Sequence, residues 1–368
     1  MSTPEQYMAR AIQLAERGLY TTDPNPRVGC VLVKNDQIIA EGWHMRAGEG
    51  HAEVNALHQA GREAAGADCY VTLEPCSHFG RTPPCVDALI NARVKRVFIA
   101  MSDPNPIVSG AGIKRLQDAG IEVHSDILAS QSEKLNPGFC QLMRIGRPYV
   151  RSKLAMSLDG RTAMASGESK WITGPEARTD VQKLRARSSA ILTGIGTVLA
   201  DDPMLNVRPG QGDKGWYPSQ QKVRQPLRVI VDGQMRIPED ARLLQQDRVL
   251  LATAVDKAAP GGIDSVVLPG EGDIIDLNAL MAVLAQREVN EVMVEAGGVL
   301  NGALLQARLI DELVIYMAPK LMGDMARGVF HLPGMDTMAQ NISLNITDMR
   351  AIGRDWRITA KPEYNEAF

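Results

Sequence analysis

Histidine and cysteine are scarce in this chain, with six and five among 368 residues, and aromatic residues contribute only 4%. No run of about 18 or more apolar residues occurs, which excludes a membrane-spanning helix of ordinary length. A net charge of −3 leaves no basic surplus for neutralising phosphates, so neither nucleic acid nor anionic lipid is an expected partner. The opening MSTPEQYMARAIQLAERG has no apolar core of the kind a secretion signal needs. It reads instead as a helix: Thr3 caps it, Pro4 takes its first position and Gln6 completes a capping box, after which Met8, Ile12, Ala15 and Leu19 recur at helical spacing. We therefore expect a cytoplasmic chain. In that reducing compartment an odd number of cysteines is poorly explained by disulfides.

Apolar residues at 45% and charged residues at 23% describe an ordinary globular protein. At 368 residues the chain outgrows one hydrophobic core, and two domains are expected. All five cysteines and five of the six histidines fall within the first 140 residues, which assigns metal or thiol chemistry to an N-terminal domain. That half reads α-β-β-α-β-α-β-α-β, with a hairpin turn at Asn35 and Asp36, and predicts an α/β layer. The segment NPGFCQLMRIGRPYV, punctuated by proline and glycine, places the boundary near Gly146 and gives domains 1–146 and 147–368. The second half alternates strands and helices again. Its stretch RPGQGDKGWYPSQQKVRQP reads as a mobile surface loop, and its last thirty residues carry no pattern.

The scarce residues concentrate in GHAEVNAL and LEPCSHFGRTPPC. His51, Cys76 and Cys85 supply one imidazole and two thiolates, the three-ligand set of a catalytic zinc that keeps a fourth position for water. Structural zinc sites usually close with four ligands, and no fourth shares this spacing. Cys85 opens a helix, whose positive end favours a thiolate. Glu53 is placed to carry a proton from that water to a leaving amine. A lone first-turn glutamate would otherwise be read as a response to the helix dipole. His78 is either a substrate contact or an exposed loop residue, and Cys30, Cys69 and Cys140 read as small buried apolar groups. An H-x-E motif followed by P-C-x-x-C marks the zinc deaminases; here the spacer SHFGRTPP is longer than the usual two residues.

The stretch PCSHFGRTPPC, with DPNPRVGCVLV before it and DPNP again at Asp103 to Pro106, resembles the deaminase domain of the bifunctional riboflavin-biosynthesis deaminase/reductase family. KLAMSLDGRTA, GESKWIT, LRARSSAILTGIGTVLADDPMLNVR and VEAGG are similar to its reductase domain. The resemblance implies a cytidine-deaminase-like α/β/α layer domain followed by a dihydrofolate-reductase-like α/β domain that uses NADPH. It implies that Asn25, His44, Arg81, Asp103 and Asn105 line a pyrimidine ribosyl phosphate, with Arg81 at the phosphate. In the second domain it implies that Ala155, Trp171, Thr197, Asp201, Gly297 and Gly298 hold the cofactor. Lys153, Ser169, Arg185, Leu205, Arg208 and Glu295 would face the substrate. A homo-oligomer, dimer or tetramer, built through the reductase half is also implied.

From the residues alone, these positions admit plainer readings. VEAGGVLNGALLQARLI is a strand, a glycine pair and a helix that points N–H groups at an anion, and Gly194, Gly196 and Thr197 repeat the idea, yet neither is a Rossmann or Walker loop. Asp-Pro and Asn-Pro pairs nucleate turns without any ligand. Arg185 also fits a solvated helix face, Trp171 ordinary packing and Asp201 a cap or turn. Two rivals remain for the whole chain: a nucleoside or tRNA deaminase with an unrelated second domain, and a scaffold that holds structural zinc and binds NADPH without turnover.

Overall fold

A computed structural model describes residues 3–79, 83–106, 108–210, 215–218 and 222–364. The chain divides into two units, Met1–Arg147 and Pro148–Phe368.

The first unit runs α1 (Pro4–Glu16), β1 (Gly29–Lys34), β2 (Gln37–Trp43), α2 (Ala52–Ala60), β3 (Asp68–Val71), α3 (Cys85–Asn91), β4 (Arg96–Ile99), α4 (Ala111–Asp118), β5 (Glu122–His124), α5 (Ala129–Leu135) and α6 (Pro137–Ile145). The capping box at Thr3 forms, with the Gln6 side chain accepting from the Thr3 N–H at 2.9 Å. Asn35 and Asp36 both adopt positive φ, 53° and 59°, the signature of a type I′ hairpin turn. The sheet order is β2-β1-β3-β4-β5, antiparallel through β2-β1-β3 and parallel through β3-β4-β5. A core of Cys30, Leu32, Cys69, Val71, Val97 and Ile99 packs beneath Ala52 and Ala56 of α2. Gly42 makes that contact possible: a Cβ there would lie 2.3 Å from the Ala52 carbonyl oxygen, so α2 seats directly on β2. The punctuated stretch before the domain boundary is largely helical. Pro137 takes the first turn of α6 and Gly146 closes it in the left-handed conformation, φ 68°.

The second unit runs β6 (Tyr149–Ser157), β7 (Arg161–Ala163), α7 (Pro175–Arg187), β8 (Ala190–Gly194), α8 (Ile195–Asp201), β9 (Leu227–Val231), β10 (Val249–Thr253), β11 (Asp264–Val267), α9 (Leu277–Gln286), β12 (Glu291–Val294), α10 (Gly298–Gln306), β13 (Glu312–Ala318), β14 (Arg327–Gly328), β15 (Ser343–Ile352) and β16 (Asp355–Glu363). Its nine-stranded sheet has the order β11-β10-β9-β8-β12-β6-β13-β16-β15. Strands from β11 to β13 are parallel, so β6, β8 and β12 end together at one edge. Val150, Leu192, Val229, Leu250, Leu280, Val292 and Leu304 are among the core on one face. Near the opposite ends of the strands, Arg151 is buried and bonds Glu291 at 2.9 Å and Glu312 at 2.7 Å. Such a pair is tolerated in the interior because each charge is satisfied by geometry as well as by sign.

Two expectations for this unit need correction. The last residues, read as patternless, form the β15–β16 hairpin that completes the sheet. The stretch read as a mobile loop is partly anchored: Tyr217 is buried and accepts from the Arg224 N–H, while the Arg224 guanidinium donates to the carbonyls of Ala186 and Ser188 at 2.7 Å.

Two candidate active sites

His51 sits immediately before α2 and Glu53 in its first turn, while Cys76 follows β3 and Cys85 begins α3. The His51 Nδ1 atom lies 3.2 Å from Cys85 Sγ and 3.6 Å from Cys76 Sγ, and all three donors fall within 4.8 Å of one another. Bonds of about 2.0 Å to nitrogen and 2.3 Å to sulfur on one tetrahedral ion would separate such donors by roughly 3.5 to 3.8 Å. The cluster fits zinc in donor type and spacing. The Cys85 backbone N–H points at Cys76 Sγ at 3.3 Å. Together with the Cys85 thiol and His51, it pulls the Cys76 thiol down to about 4, against the cost of burial. Glu53 is almost fully buried, and that burial pushes its carboxyl up despite the neighbouring His51. A carboxyl so placed, two residues past the ligand His51, is in position for general acid–base work.

Asn25 and His44 are brought to the same place. The buried His44 donates from Nδ1 to the Gly50 carbonyl at 3.1 Å and so presents Nε2 as acceptor to the Asn25 amide at 3.0 Å. Burial keeps it neutral, and its ring meets His51 edge-on at 5.2 Å. The Asp103 carboxyl accepts from the Asn105 N–H at 2.8 Å, so the turn chemistry of the Asp-Pro-Asn run is realised. That carboxyl is pushed up by burial, and the Asp103 N–H donates at 3.0 Å to Glu74, two residues before Cys76. His78 is exposed. Arg81 lies outside the described residues. Cys30, Cys69 and Cys140 are buried free thiols.

In the second unit the parallel strand ends carry a different cluster. Arg185 of α7 meets Glu295 in a two-pronged pair, Nε to Oε1 at 2.5 Å and Nη2 to Oε2 at 3.0 Å, and Lys153 of β6 approaches the same carboxylate at 3.6 Å. The third Arg185 nitrogen donates to the Asn206 carbonyl at 3.1 Å, pinning the bend in which Leu205 holds φ 46°. Arg185 is therefore neither a free fork for phosphate nor a solvated side chain. Arg208 is exposed, and its backbone N–H donates to Gln182. Ser169 is half-buried in the loop before Trp171. Trp171, 66% exposed, adopts φ 65°, an unusual conformation for so large a residue. Lys320 holds its carbonyl at 2.7 Å, and the Arg178 guanidinium lies 4.5 Å over its ring.

Ala155 lies on β6, while Thr197 and the exposed Asp201 lie on α8. Gly297 caps α10 with no atom within 4 Å of a would-be Cβ, whereas one on Gly298 would lie 3.2 Å from the Gly328 and Val329 carbonyls. An open glycine turn at a helix start fits a cofactor phosphate. Asn301, which the sequence reading passed over as one more helical residue, accepts from Ser152 at 2.6 Å and donates to the Ala296 carbonyl at 2.8 Å, so it fixes that turn from below.

Two family models match the chain, one to each unit. A model described as "RibD C-terminal domain" matches residues 148–358, and one described as "Cytidine and deoxycytidylate deaminase zinc-binding region" matches 1–101. The riboflavin biosynthesis protein RibD of Escherichia coli K12 is 52% identical over 357 residues, covering 95% of this chain and 97% of that one. The chain belongs to the RibD family. RibD of Haemophilus influenzae is 51% identical, with 97% of each chain covered. The solved structure of Acinetobacter baumannii RibD (form 1) superposes with a TM-score of 0.91 at 47% identity, covering 98% of this chain and 99% of that one. A Thermotoga maritima structure, described as a diaminohydroxyphosphoribosylaminopyrimidine deaminase/5-amino-6-(5-phosphoribosylamino)uracil reductase, gives 0.86 at 32% identity, with 98% of each covered. As a RibD protein the chain is a bifunctional deaminase and reductase of riboflavin biosynthesis, with zinc in its first unit and NADPH as reductant in its second. None of its helices among the described residues is long and apolar enough to cross a membrane.

Proposed function

We propose that the first unit hydrolytically deaminates 2,5-diamino-6-(5-phosphoribosylamino)pyrimidin-4(3H)-one. The second then reduces the ribosyl chain of 5-amino-6-(5-phosphoribosylamino)uracil to ribityl. The observation that carries the first step is the convergence of His51 Nδ1, Cys76 Sγ and Cys85 Sγ with the buried Glu53 beside them. When bound, the zinc supplies a polarised water and NADPH supplies a hydride. Glu53 moves the proton from the water to the departing amine, His44 and Asn25 orient the pyrimidine, and Asp103 and Asn105 close the pocket with Arg81. In the second unit Lys153 and Glu295 face the sugar, Arg185 holds Glu295 and the Leu205 bend in place, and Ser169 and Arg208 complete the substrate side. Ala155, Trp171, Thr197, Asp201 and the Gly297–Gly298 turn hold the cofactor. A dry, shaped pocket with the donor carbon held close suffices for the transfer, so no indispensable protein acid is invoked.

The enzyme works in the cytoplasm on a small molecule and assembles as a dimer or tetramer through the second unit. The exposed edge strand β15, with Leu344, Ile346 and Met349 open to solvent, supports that assembly. Ammonia release and NADPH consumption by the zinc-loaded protein test the two activities. NADPH oxidation as fast with the undeaminated compound as with the deaminated one would reverse the proposed order. Sedimentation showing a monomer at micromolar concentration would remove the oligomer.

A further inference from the structure

Glu74 lies two residues before Cys76 and spends one buried carboxylate on four backbone N–H groups. Its Oε2 accepts from Asp103 and Gly110, each at 3.0 Å, and its Oε1 accepts from Gly112 at 2.9 Å and Ile113 at 3.3 Å. A carboxylate has room for about four such bonds, so the group is saturated. Its own N–H donates to the Met101 carbonyl at 3.0 Å, which ties the chain leaving β3 to the chain leaving β4. The start of α4 is pressed against the metal-bearing turn: a Cβ on Gly112 would lie 2.2 Å from the Pro75 carbonyl oxygen. One turn further along α4, Arg115 reaches back, donating to the Ser77 carbonyl at 2.7 Å and to Asp87 at 2.5 Å. Ser77 opens the long spacer between the cysteines and Asp87 lies just beyond its far end. The loop with Asp103 and Asn105, the start of α4 and the turn with Cys76 are thus one bracket, and Glu74 is its central fastening.

We propose that Glu74 is a positioning residue of the deaminase, fixing the loop that bears Asp103 and Asn105 against the turn that bears Cys76 so that substrate and metal keep one register. This rests on the reading that Asp103 and Asn105 face the substrate. A glutamine at this position is isosteric but offers one oxygen and one NH₂. Whichever way the amide turns, two of the four backbone N–H groups lose their acceptor and face a donor instead.

The test uses full-length, zinc-loaded E74Q and the diaminopyrimidinone ribosyl phosphate. The KM for deamination should rise about tenfold while kcat changes less than about threefold, the pattern of lost binding rather than lost chemistry. Zinc stoichiometry and the KM of the reductase reaction should stay at their wild-type values. A variant that melts early or sheds zinc, yet whose zinc-loaded fraction keeps the wild-type KM, makes Glu74 a structural strut and overturns the proposal. Should E74Q not fold, E74D decides in its place: the charge is kept on a shorter stem, and an unchanged KM overturns the proposal equally. N105A is the companion measurement. A raised KM in N105A without one in E74Q sinks the proposal alone; an unchanged KM in N105A sinks the substrate reading of the loop, and the proposal with it.

Discussion

Arg185 and Glu295 face each other in a two-pronged pair, 2.5 and 3.0 Å between paired atoms, with both side chains about nine-tenths buried. Burial pushes the Glu295 carboxyl up, but Arg185 and Lys153 outweigh it and hold the group at about 2, against an ordinary 4.5. Because the folded value lies below the unfolded one, the stabilisation is complete above about pH 4.5 and is lost as the pH falls toward 2. It amounts to roughly 3 kcal/mol. Thermal melts of the wild type and E295Q between pH 7 and pH 3 should show a gap that narrows below pH 4.5. A gap independent of pH would exclude the ionised pair as its source.

Replacing Glu53 by glutamine removes the proton carrier while keeping size. Deamination should fall by about 10² to 10⁴-fold. Metal content and NADPH oxidation with the deaminated substrate should be unchanged, and ammonia release within tenfold of wild type would remove Glu53 from the chemistry.

Serine at Cys76 or Cys85 takes away one of two thiolates. The purified protein should hold well under one zinc per chain and release no ammonia, and its reductase activity should persist because that site draws on the other unit. Retention of a full equivalent by both variants would mean that the ion sits elsewhere.

Gly42→Ala tests how the metal ligand is presented. A methyl group 2.3 Å from the Ala52 carbonyl oxygen and 2.5 Å from the Ala56 nitrogen must lift α2, and His51 and Glu53 travel with it. We expect a loss of about 1 to 3 kcal/mol in denaturant melts and faster transfer of zinc to a chromogenic chelator. Unchanged transfer would separate the packing of α2 from the metal site.

Arg151→Met leaves Glu312 and Glu291 short of their shared buried partner. Loss of one member of such a pair costs about 3 to 5 kcal/mol, to be read from chemical denaturation of the second unit. Because Arg151 lies near the strand ends remote from Glu295, the KM for NADPH should not move.

Much of the first unit was legible because its signals are local. The Thr3–Gln6 box, the Asn35–Asp36 turn and the His51, Cys76 and Cys85 set each declare themselves within a few residues or by rare residue type. Glu74 was not legible: its four partners lie 29 to 39 positions away, and within LEPC it looks like a strand residue. Helix α7 was read only at Arg185, as a helix face, because the side it buries is made of Ala177, Leu184 and Ala186, too small and too few to show an apolar stripe among its charges. The strand β15 escaped for a related reason: nine of its ten residues are exposed, so no alternation marks it. Arg185 was read as facing substrate or water because its partner, Glu295, follows the end of β12, 110 residues later.

The Cys85 N–H aimed at Cys76 Sγ has a consequence for metal choice. A sulfur held by the backbone, beside a second sulfur and an imidazole, makes a receptacle whose donors are fixed by the turn that opens α3. A receptacle of two soft donors and one borderline donor will also accept cadmium or cuprous ions, and what occupies it in the cell is then decided by supply as much as by shape.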